Sequence, residues 1–167
     1  FNEQFTTNIE LAGIPLGEWL FFVTVPYATL FVWEVFAAYF KNRKFQTLYL
    51  FRKVMQYGII GGIILFSLGK EYTGLVFVAL GITAILDQVY QTNVYLQKRM
   101  MHLVLLNLCL TLIFNGYLTA RPVVLYDVIY QLNWRIFTIP IEDFGYGVSL
   151  IVLLVIIYEK LKGRSVG

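Results

Sequence analysis

The sequence predicts an all-α fold: a polytopic bundle of membrane-spanning helices. Three observations carry this. The 167-residue chain is 59% hydrophobic with a mean hydropathy of +0.70, and only 14% of it is charged, a balance outside the range of ordinary soluble domains. Its apolar residues fall into five runs, each near the ~20 residues that cross a bilayer as a helix. Between the runs, Lys and Arg collect at alternate connections, the pattern that orients spans in a membrane.

Taken in order, Phe1–Gly13 is polar and reads as a loop rather than a signal peptide. The first span runs from about Glu18 to Phe40, with Pro26 marking a kink. The second covers about Leu48 to Leu68, where Gly58, Gly61 and Gly62 admit a neighbouring helix. Lys70-Glu71 marks a turn, and the third span follows from Tyr72 to about Tyr90. The fourth covers about Met100 to Leu118. The connection Thr119–Ile139 carries Tyr126, Asp127, Tyr130, Asn133, Trp134 and Arg135, a composition that suits a segment lying across the membrane surface. The fifth span runs from about Ile141 to Lys160.

Orientation follows from the cations. Lys41, Arg43, Lys44, Arg52, Lys53, Lys98, Arg99, Lys160, Lys162 and Arg164 fall on one side, against Lys70, Arg121 and Arg135 on the other. Positive residues stay on the cytoplasmic face. The reading is a multi-pass protein of the cell (inner) membrane with its C-terminus in the cytoplasm.

Several chemistries are excluded. The lone Cys109 lies in an apolar run, so neither a disulfide framework nor a thiolate metal site is available. The lone His102, at the edge of a span, reads as a satisfied or interfacial residue, and no metal site is expected. The net charge of +3 sits in short loops and is no nucleic-acid footprint. No glycine loop follows a strand to cradle a nucleotide phosphate. A retinal Schiff base would need a lysine within the last span, and none stands between Glu142 and Glu159.

What remains is a pair of matched stretches. Ile139-Pro140-Ile141-Glu142-Asp143-Phe144-Gly145-Tyr146-Gly147 puts two carboxylates directly after a proline, at the mouth of a run that stays apolar to Tyr158. Proline favours the first helical position, so Glu142 and Asp143 belong in the first turn. A near copy, Ile14-Pro15-Leu16-Gly17-Glu18-Trp19-Leu20-Phe21-Phe22, stands 125 residues earlier. At that offset Pro15 matches Pro140, Glu18 matches Asp143, Trp19 matches Phe144, and Glu34 matches Glu159. The first and fifth spans are four crossings apart and run in the same direction, so the repeat is parallel. A carboxylate in a first turn also complements the helix dipole, but capping does not require matched proline, acid and aromatic residues. Two acidic, aromatic helix mouths in so apolar a chain suggest chemistry on an apolar substrate.

These residues resemble the paired proline–acid motifs of the membrane-integral lycopene cyclases, which occur as two small subunits or as fused chains. The resemblance runs over nearly the whole chain, from Phe1-Asn2 onward; Gly17 stands where the family usually has a second acid. It implies a fold of about seven helices, two of which precede the first motif and are missing from this sequence. The 1–167 stretch would then be a single membrane domain, with a first-repeat motif helix at 14–40, a linker helix at 45–68 and a second repeat at 72–160. It also implies lycopene as substrate, a bilayer as surroundings and a homo- or hetero-oligomer as assembly.

The residues fit that chemistry without a cofactor. Cyclising the open end of lycopene needs a proton delivered to an alkene, ring closure through a tertiary cation and loss of a neighbouring proton. Glu142, Asp143 and Glu18 are the candidate acid and base groups. Burial disfavours the charged form of a carboxyl more strongly than a helix dipole favours it, so a set of neighbouring acids would share protons. Trp19, Phe144 and Tyr146, with Tyr27, are the aromatic faces for the cation, each worth ~2 kcal/mol when desolvated; Pro15 and Pro140 shape the pocket. Glu34 and Asp87, near the cytoplasmic ends, and Asn107 and Asn115 read as ties between helices. The competing readings are a non-catalytic carotenoid- or isoprenoid-binding membrane protein and a small transporter.

Overall fold

The computed structural model describes residues 9–40, 47–121, 123–124 and 126–165, with backbone alone for Glu18, Thr47, Arg164 and Ser165. The side chains of Glu18 and Arg164, the Phe1-Asn2 end of the resemblance, and the cations Lys41, Arg43 and Lys44 thus lie outside what is described.

Five helices, all long and apolar enough to cross a membrane, make the fold. They are α1 (Leu16–Tyr39), α2 (Thr47–Ser67), α3 (Glu71–Val89), α4 (Lys98–Ala120) and α5 (Ile141–Ser165). Their bounds agree with the apolar runs to within two residues, except that α5 continues past Lys160. The chain is therefore an all-α polytopic bundle. Pro26 lies inside an uninterrupted α1.

Two small hairpins were not legible in the sequence. Strands β1 (Glu10–Leu11) and β2 (Ile14–Pro15) pair antiparallel, as do β3 (Arg135–Ile136) and β4 (Ile139–Pro140). Glu10 faces Pro15 in the first and Arg135 faces Pro140 in the second, so the registers match at the 125-residue offset. The match extends one step further. The Leu16 N–H donates to the Ile9 carbonyl at 3.0 Å, and the Ile141 N–H to the Trp134 carbonyl at 3.0 Å. Each hairpin thus satisfies one of the backbone donors that a helix start leaves open, a need that apolar surroundings sharpen. The prolines consequently end strands instead of opening helices: Pro15 is the N-cap of α1, and Pro140 directly precedes α5.

Helix α5 is central and packs on α1, α3 and α4. The apolar core joins Ile151, Val152, Val155 and Ile156 of α5 to Trp33 of α1, Ala84 of α3 and Leu103 of α4. Helix α2 packs chiefly on α3, through glycines. A Cβ on Gly62 would lie 2.7 Å from the Gly74 carbonyl oxygen, one on Gly58 would touch Phe77 at 3.6 Å, and one on Gly61 would meet open space. Gly62 and Gly58 therefore admit the neighbour as expected, and Gly61 does not.

One end of the bundle is tied by charge. Asp87, fully buried, accepts from Arg52 Nη1 (3.1 Å), Thr92 Oγ1 (2.8 Å) and the Val94 N–H (2.6 Å). Glu159 accepts from the indole N–H of buried Trp33 (2.6 Å) and from Arg99 Nη2 (3.2 Å), whose guanidinium lies 3.8 Å from the Trp33 ring centre. Glu34 pairs with Lys162 at 2.7 Å. Beside them, in the connection from α3 to α4, burial pushes the Tyr95 hydroxyl up to about 12. Asn107 breaks the expectation of an interhelical bond: its Nδ2 is buried without a hydrogen-bond partner among the described residues.

Two pairs of variants separate these contributions by thermal unfolding in detergent. Gly74→Val places a Cβ 2.6 Å from the Gly62 carbonyl and should cost about 1–3 kcal/mol, whereas Gly61→Ala should leave the midpoint unchanged. Arg52→Ala strands a buried Asp87 and should cost about 3–5 kcal/mol. Lys162→Ala breaks an exposed pair and should cost about 0–1 kcal/mol.

Candidate active site

The opposite end of α5 carries the acids. Glu142 and Asp143 lie in its first turn, 2% and 6% exposed. Successive helix residues diverge by about 100°, so the two carboxyls meet different neighbours. Glu142 Oε1 accepts from the Thr73 hydroxyl (2.6 Å) and the Leu132 N–H (2.8 Å). Its other oxygen, Oε2, is buried with no hydrogen-bond partner among the described residues. Asp143 Oδ1 accepts from the Tyr72 hydroxyl (2.7 Å), and Oδ2 from Tyr126 (2.5 Å) and Asn115 Nδ2 (3.1 Å). The Tyr72 and Tyr126 rings stack beside the carboxyl, 22° from parallel.

Packing explains the reach. A Cβ on Gly145 would lie 2.5 Å from Val76 Cγ1, so the glycine lets α3 and α5 close on each other. Two successive residues of α3, Tyr72 and Thr73, then meet two successive residues of α5. Asn115 comes from the end of α4. The connection from α4 to α5 supplies the rest as a strap folded over the acids. Its one 3-10 turn, Val128–Tyr130, is capped by Asp127, whose carboxylate accepts from the Ile129 N–H. Lys70 Nζ donates to the Ile129 carbonyl at 3.1 Å and pins the strap to the start of α3. Gln131 is buried with neither side-chain polar atom bonded among the described residues. Val128, Ile129, Trp134 and Phe137 point outward and are exposed.

The structure thus gathers Glu142, Asp143, Phe144 and Pro140, all buried, at one end of the bundle. Tyr146 and Trp19 are 42% and 38% exposed, Pro15 is half-buried, and Tyr27 is exposed. Trp19 donates its indole N–H to the Leu11 carbonyl at 3.0 Å, bracing its own hairpin. Helices α1 and α5 run parallel, as the Trp33–Glu159 and Glu34–Lys162 contacts near their C-terminal ends require. Both motifs therefore lie at the same end. Among the described residues no hydrogen bond joins the first motif to the second, and every described side chain from Leu16 to Thr24 is exposed.

Sequence reasoning missed Tyr72, Thr73 and Tyr126 as partners of the acids; Asn115 ties α4 to α5 as expected, and its partner is Asp143. A signal existed in two of these cases: Tyr72-Thr73 opens a span on the side of the motifs, and Asn115 closes another there.

The sequence profile of the lycopene cyclase family matches residues 1–36 and 69–161. The chain belongs to the lycopene cyclase family. Comparisons with curated proteins and with solved structures give no match. The matched residues include both motifs and, among the described residues, every side chain bonded to Glu142 and Asp143; they leave out α2, whose described side chains send no hydrogen bond to either acid. A lycopene cyclase acts on a carotenoid, and an apolar bundle with its acids buried among aromatic rings suits such a substrate.

Packing and substrate contact can be told apart at the aromatic positions. Phe144→Ala should cost about 3–5 kcal/mol of stability, as for other buried aromatics. Tyr146→Ala should leave the unfolding midpoint within about 0.5 kcal/mol, so that a loss of cyclised product in that variant reports on the substrate.

Proposed function

We propose that the chain cyclises the open end of lycopene to a β-ionone ring by acid–base catalysis at Glu142 and Asp143, with no net oxidation or reduction and no cofactor. One observation carries this reading. The acids at the far end, buried Asp87 and part-buried Glu159, face cations, Arg52 and Arg99 respectively. Glu142 and Asp143 receive only uncharged donors among the described residues. A carboxyl locked to a cation stays charged, whereas one held by neutral groups can take up and release a proton.

The steps balance within the site. A carboxyl proton adds to the less substituted carbon of the terminal alkene and leaves a tertiary cation on its neighbour. The π electrons of the next suitably placed alkene close the ring and move the positive charge into it. A carboxylate then removes the proton beside that charge, restoring a double bond. Tyr72, Tyr126 and Phe144 supply π faces that stabilise the cation without adding to it, each contact worth ~2 kcal/mol when dry. The end group reaches the acids when the strap over them shifts. Trp19 and Tyr146, part-exposed, and Pro15 and Pro140 line the approach, and Glu18 joins the acid–base set from the first motif.

The excess of cations beside the C-terminal ends of α1, α3 and α5 puts those ends in the cytoplasm. The site then lies towards the outer leaflet of the cell membrane. In this arrangement α1 is the motif helix of a first repeat, α2 a linker, and α3 to α5 the second repeat. The uncovered face of α1 around Leu20–Val23 suits a helix-lined oligomer contact.

Pigment analysis of lycopene-accumulating cells expressing the chain tests the reading. Glu142→Gln and Asp143→Asn should each insert normally and lower cyclised product by about 10²–10⁴-fold, the usual worth of an acid–base group. Glu18→Gln should be nearly as harmful if Glu18 is the base, and milder if it only caps α1. Wild-type product from both second-motif variants would sink the proposal.

A further inference from the structure

We infer that the two carboxyls are not interchangeable: Glu142 is the proton donor, acting from Oε2, and Asp143 is the carboxylate that takes the proton away. This division rests on the cyclase reading above and deepens it. Asp143 has both oxygens occupied, by two phenol hydroxyls and an amide N–H. Protonated, Asp143 would put an O–H on an oxygen that already receives a donor, whereas an ionised carboxylate only accepts. The surroundings of Asp143 match the accepting form.

Glu142 is partnered on one side alone. Oε1 takes the Thr73 hydroxyl and the Leu132 N–H, and a backbone N–H can only donate. That oxygen behaves as the carbonyl of a carboxylic acid. Oε2 has no donor directed at it among the described residues, which is the arrangement of an acid whose O–H sits there. Even Gln131, buried on the residue before Leu132, makes no hydrogen bond with it. An alkene is a very weak base, and a proton already shared with a better acceptor would not move to it. An O–H with no competing acceptor in a buried site is the donor such a substrate requires. After transfer the proton from the ring goes to Asp143, and the pair is restored when the proton returns to Glu142 through neighbouring groups or water.

Tyr72, Tyr126 and Asn115 are then positioning residues for the base, and Thr73 for the acid. Difference infrared spectroscopy of the purified, lipid-reconstituted chain in H₂O and D₂O reads the protonation state directly. At neutral pH a protonated-carboxyl C=O band that shifts on deuteration should be present in the parent chain, lost in Glu142→Gln and retained in Asp143→Asn. Loss in Asp143→Asn alone, loss in both, or no such band overturns the division of roles. Product analysis of the same variants with lycopene addresses the underlying reading: undiminished product from both sinks the cyclase mechanism whatever the spectra show. Tyr126→Phe keeps the ring stack and removes one donor to Asp143, so it should lower turnover about 10- to 100-fold and keep the infrared band. Loss of the band in Tyr126→Phe also overturns the assignment.

Discussion

The site depends on the close approach of α3 and α5 at Gly145. A side chain there would collide with Val76, the helices would separate, and Thr73 and Tyr72 would no longer reach Glu142 and Asp143. Everything else at that end follows from this contact. With the acids drawn onto α3, the chain between α4 and α5 can fold back over them and offer Tyr126 and the Leu132 amide. A charged group in an apolar bundle is costly unless it is bonded, and here the bonding groups carry no charge of their own. Stability is met by neutral donors.

The two ends of the bundle divide labour. At one, Arg52, Arg99 and Lys162 each neutralise an acid and fix helix to helix. At the other, the acids are surrounded by hydroxyls, an amide and a backbone N–H. About 26 Å of apolar helix separates Glu142 from Glu159, at 1.5 Å per residue. The end with neutral donors is thereby kept apart from the ion pairs that hold the bundle together.

Much of this was legible from residue order. Span length and apolar content located all five helices, because in lipid the backbone has few alternatives to a helix. The matched prolines and acids placed Glu142 and Asp143 in a first turn, and the 125-residue offset reappeared as two hairpins of equal register. The hairpins themselves were invisible. Two-residue strands held by backbone bonds leave no alternating pattern, and their prolines looked like helix openers. Tyr72 and Tyr126 were hidden for another reason: tyrosines near the ends of membrane helices are common as interfacial anchors, so nothing marked these two as partners of a carboxylate. Gly61 shows the opposite error, since a residue type suited to helix contact gives no guarantee that its face of the helix meets one; Asn107 does meet α5, at Gly147, without its Nδ2 finding a hydrogen-bond partner among the described residues.

The clamp of Trp33, Arg99 and Glu159 has a mechanical meaning. It grips α1 near its C-terminal end, while the first nine residues of the helix carry only exposed side chains where described. Helix α1 is therefore a lever about 26 Å long from Trp33 to its first motif. A tilt of roughly 5° about the clamp swings the Glu18 end by about 2 Å, more than the tolerance of a proton transfer. The spacing between the two motifs is thus governed by packing at the opposite face of the membrane.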